Sequence, residues 1–189
     1  FYENFDSNYA EKLCKKFNFD ISKKLKALST GYNSIFKLIL TLASGAEVMI
    51  FDEPILGLDA NYREIFYQEL IKRYSELNNT IIISTHLIEE ISNIVERLII
   101  IDEGVIIANA ATDEIKAIAY VVSGDKKKVE AFIKDKIILH KESLGNYLAV
   151  TINAKITKKD IQKAQALDLV ISSPKLQDVF IKLTNKESA

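Results

Sequence analysis

EVMIFDEPILGLDA, residues 47–60, is an apolar run that ends in two adjacent carboxylates and a proline. An unpartnered charge taken out of water costs several kcal/mol or loses its ionisation. Asp52 and Glu53 therefore call for positive charge or hydrogen-bond donors close by. Pro54 biases Glu53 toward an extended conformation, which predicts a carboxylate held at a strand tip rather than drawn into a helix. VMIF (48–51) is followed by two more β-rich runs, TIIIS (80–84) and RLIII (97–101). All three are nearly continuous rather than alternating, the pattern of strands covered on both faces of a parallel sheet. Helical patterns at about 62–77 and 87–95 separate them, so the reading is an open α/β sheet. In such sheets ligands gather beyond the carboxyl ends of the strands. Asp52, Glu53 and the pair Thr85-His86 fall at two such ends, where they suit a Mg²⁺ and phosphate site. The plainer reading of Asp52 is a helix cap or an acceptor for backbone N–H groups.

Upstream, Ser7 is the expected cap of a short amphipathic helix ending near Phe17, followed by a polar connection. Cys14, in register with Ala10, Leu13 and Phe17, reads as a small core residue. A second helix is expected from Asn33 to Ser44, with Gly45 closing it. Downstream, DEGVII reads as a tight turn into a returning strand. From about residue 117 the order becomes β, α, β, β, α, β, with a hairpin at Gly145-Asn146 and a last helix over 174–184. That order is ferredoxin-like. It predicts two domains, 1–116 and 117–189, and shows no internal duplication.

Composition narrows the class. Of 189 residues 48% are hydrophobic and 27% charged, with a formal charge of −1, so no strong field draws the chain to nucleic acid. The lysine run 126–128 reads as solvated surface. The single cysteine excludes a disulfide framework. No apolar stretch reaches the roughly 18 to 20 residues a membrane span requires, and the first residues lack the pattern of a signal peptide. His140, without a second ligand residue at metal spacing, reads as structural or exposed. Tyr2, Phe5 and Phe17 read as packing residues of a small helical core.

Four motifs in series, LSTGY (28–32), VMIFDEP (48–54), LGLD (56–59) and STH (84–86), resemble the signature, Walker B, D-loop and switch histidine of the ATP-binding cassette ATPases. The resemblance covers about residues 1–116; PKLQDVFIKLT (174–184) is similar to the tail that often ends such subunits in bacterial transporters, and the LSTGY signature is similar to that of a bacterial export-type branch. It implies the C-terminal part of a P-loop NTPase domain, with parallel sheet and helical subdomain, followed by a small α+β domain. By the same resemblance Asp52 holds Mg²⁺ through water, Glu53 polarises the water that attacks the γ-phosphate, and His86 contacts that phosphate. Ser29, Thr30 and Gly31 address ATP on a second subunit, and Asp59 reaches across the interface between them. The implied partners are transmembrane permease subunits and a second ATPase subunit, identical or paralogous, at the cytoplasmic face of the membrane. Nucleic acid is not expected.

Two departures qualify the resemblance. Thr30 replaces the usual glycine and Tyr32 the usual glutamine of the signature. No stretch reads G-x-x-x-x-G-K-[ST], the loop that cradles phosphates, and the preceding glutamine loop is absent too. The expectation is the C-terminal part of a longer subunit, inactive by itself. A non-transport ATPase of the same superfamily and a catalytically degenerate regulatory module are the alternatives. Residues 117–189 are read as regulatory or dimerising, with small-molecule sensing among the options.

Overall fold

The computed structural model describes residues 2–184, which fall into two compact units divided between His86 and Leu87. In the first unit α1 spans Ser7–Lys16 and α2 Thr30–Ala43, with a short 3₁₀ turn at Leu25–Ala27 between them; β1 (Val48–Asp52), α3 (Ala60–Leu77) and β2 (Thr80–Ser84) follow. The cap of α1 is Asp6 rather than Ser7, its carboxylate accepting the Tyr9 N–H at 2.9 Å. Helix α2 starts three residues before the expected Asn33. Ser29 is its N-cap, and the signature motif forms its first turn. Gly45 ends α2 at φ 65°, and a Cβ there would come within 2.4 Å of the Asn4 carbonyl oxygen. Only glycine satisfies both demands.

β1 and β2 pair in parallel with Asp52 opposite Ser84. Met49 and Phe51 are buried, whereas Val48 (51% exposed), Ile50 (66%) and Ile82 (49%) remain open, so the strands are covered on one face rather than two. A polar cluster ties the helices. The Tyr9 hydroxyl donates to Glu69 Oε2 at 2.7 Å, and Lys16 pairs with Glu69 Oε1. Arg73 Nε donates to the Leu42 carbonyl at 3.0 Å while its guanidinium lies 4.3 Å from the centre of the Tyr9 ring. Cys14 is half-buried, and burial pushes its thiol up from the ordinary range.

The second unit opens with α4 (Ile88–Ile91), shorter than the expected helix, because Ser92 and Asn93 favour turns over helix interiors. β3 (Arg97–Asp102) and β4 (Val105–Ala111) form an antiparallel hairpin. RLIII is therefore not a third parallel strand; its hydrogen-bonded partner is β4. The turn residues Glu103 and Gly104 both have positive φ, the requirement of a two-residue turn matched to strand twist. Helix α5 (Thr112–Lys116) precedes β5 (Tyr120–Asp125), α6 (Lys126–Phe132), β6 (Ile138–Leu144), β7 (Tyr147–Ile152), α7 (Lys158–Ala166), β8 (Val170–Ser172) and α8 (Leu176–Thr184). The last four strands make one antiparallel sheet in the order β6-β7-β5-β8, the ferredoxin-like arrangement read from the sequence. Tyr120, Val122, Leu148, Val150 and Ile152 pack with Val129, Phe132 and Ala164 of α6 and α7. α8 packs instead with Ile100, Ile115 and Ala119, so by compactness the β3–β4 hairpin and α5 go with the later strands. The chain is thus α/β with both parallel and antiparallel sheets.

Candidate functional site

Because β1 and β2 are parallel and in register, their carboxyl ends lie side by side, and each hydroxyl or carboxylate after them meets its counterpart. Ser84 Oγ donates to Asp52 Oδ1. One position on, the Glu53 N–H donates to the Ser84 carbonyl at 2.9 Å, extending the ladder past the strand. Glu53 Oε2 accepts from Thr85 Oγ1 at 3.0 Å, and Oε1 accepts from the His86 N–H at 3.0 Å while lying 2.7 Å from His86 Nδ1. The carboxylate of the first strand is thus clamped by the residues leaving the second.

Glu53 is not extended, as Pro54 led one to expect, but left-handed, with φ 45°. Such a conformation costs about 1–2 kcal/mol in an L-residue. The bonds to Ser84, Thr85 and His86 hold it there, outweighing the local preference set by the proline.

The electrostatics follow from those bonds. Partial burial raises the Glu53 pKa, but hydrogen bonds from the His86 ring, the Thr85 hydroxyl and the His86 N–H outweigh it and hold the carboxyl below its usual range. Glu53 is ionised at neutral pH. An ionised carboxylate beside Nδ1 favours the tautomer with the proton on that nitrogen. His86 Nε2, on a side chain 65% exposed, has no hydrogen bond among the described residues. Asp52 is exposed with one oxygen engaged by Ser84. Mg²⁺ typically takes one or two carboxylates plus waters and substrate phosphates. One open carboxylate at a strand end fits that chemistry, and among the described residues no three His, Cys, Asp or Glu side chains form a self-sufficient metal cage.

The remaining candidates gather at the start of α2. Ser29 Oγ accepts the Tyr32 N–H at 3.3 Å, and Thr30 and Gly31 occupy the first turn. A Cβ on Gly31 would lie 3.0 Å from the Gly57 carbonyl oxygen. LSTGY and LGLD, distant in sequence, are therefore in backbone contact, and the missing side chain of Gly31 serves that approach. Asp59 is the N-cap of α3, accepting the Tyr62 N–H at 3.0 Å. The capping role considered for Asp52 belongs to Asp59. Arg63 Nε fastens the same turn through the Leu58 carbonyl at 3.0 Å.

Three contributors were named from the sequence but given no contact there. Ser84 and Thr85 supply the hydroxyls that hold both carboxylates, and their signal was the polar run STH directly after a strand. Tyr32 reaches back to donate to the Asn18 carbonyl at 3.0 Å, stacks near Phe19 at 5.5 Å between ring centres and carries Lys23 over its face. Its large side chain ties the signature turn to the connection after α1.

Comparison with known proteins fits this geometry. A family profile described as "AAA domain, putative AbiEii toxin, Type IV TA system" matches residues 4–92. The ABC transporter ATP-binding protein YtrB of Bacillus subtilis is 29% identical over 115 residues, covering 61% of this chain and 39% of that protein. The Nod factor export ATP-binding protein I of Rhizobium etli is 25% identical over 176 residues, covering 88% of this chain and 54% of its own. The chain is a homologue of the ATP-binding cassette ATPases. A solved ATP-binding subunit of an ABC transporter superposes with a TM-score of 0.53 at 20% identity, covering 59% of this chain and 48% of that one, a likeness of fold. This cassette homologue spans about half the length of the curated relatives it matches. Among its described residues no helix is long and apolar enough to cross a membrane.

Proposed function

We propose that this chain is the C-terminal portion of an ATP-hydrolysing subunit that powers a membrane transporter. The observation that carries the reading is the Glu53 carboxylate, ionised and fixed at a strand end beside Asp52 by Thr85 and His86 of the neighbouring strand. Phosphoryl transfer to water needs a positioned nucleophile and charge stabilisation more than covalent help. Glu53 orients and polarises the attacking water. Its depressed pKa makes it an orienting acceptor first, with proton uptake late in the step. Asp52 would hold Mg²⁺ through water, and such a cation would supply charge neutralisation at the phosphates. His86 presents Nε2 to the γ-phosphate while Nδ1 reports to Glu53, so loss of that phosphate is felt at the catalytic carboxylate.

Ser29, Thr30 and Gly31, at the positive end of a 14-residue helix, address the phosphates of ATP held by a second subunit. Asp59 has one oxygen on its cap and offers the other across that interface. The phosphate-cradling loop is not in these residues, so turnover belongs to the parent subunit, peripheral to permease partners on the cytoplasmic side. Residues 117–189 are an accessory domain appended to the ATPase part. The direct test is Mg-ATP turnover by the full-length parent with Glu53→Gln. Loss of a positioned base lowers the rate by about 10² to 10⁴. ATP binding should survive. Turnover indifferent to the substitution places the chemistry on another group.

A further inference from the structure

The antiparallel sheet of the second unit packs α6 and α7 on one face, and the other face, which the start of α8 meets through Asp178, carries a row of chemistry. Register puts Ser172, Val121, Thr151 and His140 directly across from one another on β8, β5, β7 and β6, with Ala149 opposite Glu142 in the next row. Neighbouring strands are about 4.8 Å apart, so the row spans about 14 Å. Lys175 and Asp178, at and just after the start of α8, stand over it. Lys175 Nζ lies 2.6 Å from Glu142 Oε1, His140 Nε2 lies 3.4 Å from the same oxygen, and Thr151 Oγ1 donates to Asp178 Oδ2 at 3.0 Å. Together with Ser173 these residues line a cavity of about 160 Å³.

We propose that this cavity binds a small zwitterion of the free α-amino acid class. Both signs of charge are built into one small space. Lys175 and His140 face Glu142 and Asp178, so a pure anion meets two carboxylates and a pure cation meets an ammonium. A molecule with a carboxylate and an ammonium a few bonds apart satisfies both pairs. Its carboxylate takes Lys175 and the hydroxyls of Ser172 and Ser173, which have no hydrogen-bond partner among the described residues. Its ammonium takes Asp178 and Glu142. Val121 and Ala149 leave a floor that accepts hydrogen or a short side chain. Size points the same way. Drug-sized ligands occupy pockets from about 300 Å³ upward, and this cavity of about 160 Å³ suits a smaller molecule.

The test is calorimetric titration of the whole chain with glycine, alanine and serine, against acetate and ethylammonium as single-charge controls. At least one amino acid should bind saturably, with neither control matching it. Lys175→Met and Asp178→Asn should each weaken binding about ten- to a hundredfold, the worth of one charge-assisted hydrogen bond. Ala149→Leu, which fills the floor and changes no charge, should abolish it. In the unaltered chain, backbone amide resonances of Val121, Thr151 and Ser172 should move during the titration. Failure of all three amino acids to bind, equal binding of acetate or ethylammonium, or resonance changes confined to other residues would each overturn the proposal.

Discussion

Glu69 is the most informative residue to remove. It is 2% exposed in the middle of α3, with Tyr9 on one oxygen and Lys16 on the other. Glu69→Leu deletes both contacts and leaves the buried Tyr9 hydroxyl without an acceptor, at a cost of about 1–3 kcal/mol. The Lys16 side chain is half exposed, so its share is about 1 kcal/mol or less. The sum is about 1–4 kcal/mol. Adding Tyr9→Phe removes the stranded hydroxyl, and replacing both partners with apolar groups is close to neutral. The double variant should therefore recover about 1–2 kcal/mol over Glu69→Leu. Urea denaturation midpoints at constant slope measure both steps. Acid adds a second reading. Burial raises the Glu69 pKa, but the bonds from Lys16 and Tyr9 outweigh it and hold the carboxyl low. Its contribution is then present above the unfolded value of about 4.3 and is lost as pH falls through the lower folded value. Wild type should lose more stability on acidification than Glu69→Leu. A double variant as unstable as the sum of the two single ones would refute the argument, since the hydroxyl would then not be the group that suffers.

Other outcomes are as specific. Gly45→Ala should cost about 2–5 kcal/mol in denaturation, combining left-handed strain of about 1–2 with crowding against the Asn4 carbonyl of about 1–3; a neutral result would mean that the turn does not have φ 65°. Asp160→Asn should cost about 1–2 kcal/mol, because Asp160 closes a capping box with Thr157 and receives Lys136 at 2.6 Å. Burial raises the Asp160 carboxyl, but Lys136 and Thr157 hold it below the usual range, so this contribution too should fade in urea titrations as pH drops through the folded value.

Much of this architecture is legible in the residues, and the failures have identifiable causes. TIIIS ends where β2 ends, DEG turns the chain at Glu103-Gly104, and the βαββαβ order survives into the sheet. These are places where turn chemistry and apolar runs agree. The start of α2 was misplaced because Thr30 and Gly31 are poor helix formers, by up to about 1 kcal/mol for glycine. Ser29 was nevertheless a readable cap. RLIII looked like a parallel strand because a continuous apolar run carries no information about its partner, and the two-residue turn after it decided the pairing. Glu69 and Arg73 were invisible, since a charged residue in a helix reads as exposed until a distant tyrosine or carbonyl claims it. At the candidate site both carboxylates and the histidine could be named from sequence. Their mutual bonds could not, because they depend on register between strands whose sequence positions differ by about 32.

That register is what makes the site. Burial of Met49 and Phe51 fixes which side of β1 faces the helices, and pairing Val48 through Asp52 with Thr80 through Ser84 brings the two strand exits level. A slip of one residue reverses the side on which each side chain emerges. It would bring Asp52 to Thr85 or Glu53 to Ser84 on the wrong face. The positive φ of Glu53 is intelligible on the same terms. An extended residue before Pro54 would carry the chain straight on and take the carboxylate away from Thr85 and His86. The left-handed turn folds it back over the neighbouring strand. Strain of about 1–2 kcal/mol is offset by a backbone bond to Ser84 and the donors of Thr85 and His86. The proline ends the strand, and the neighbouring strand decides where the carboxylate points.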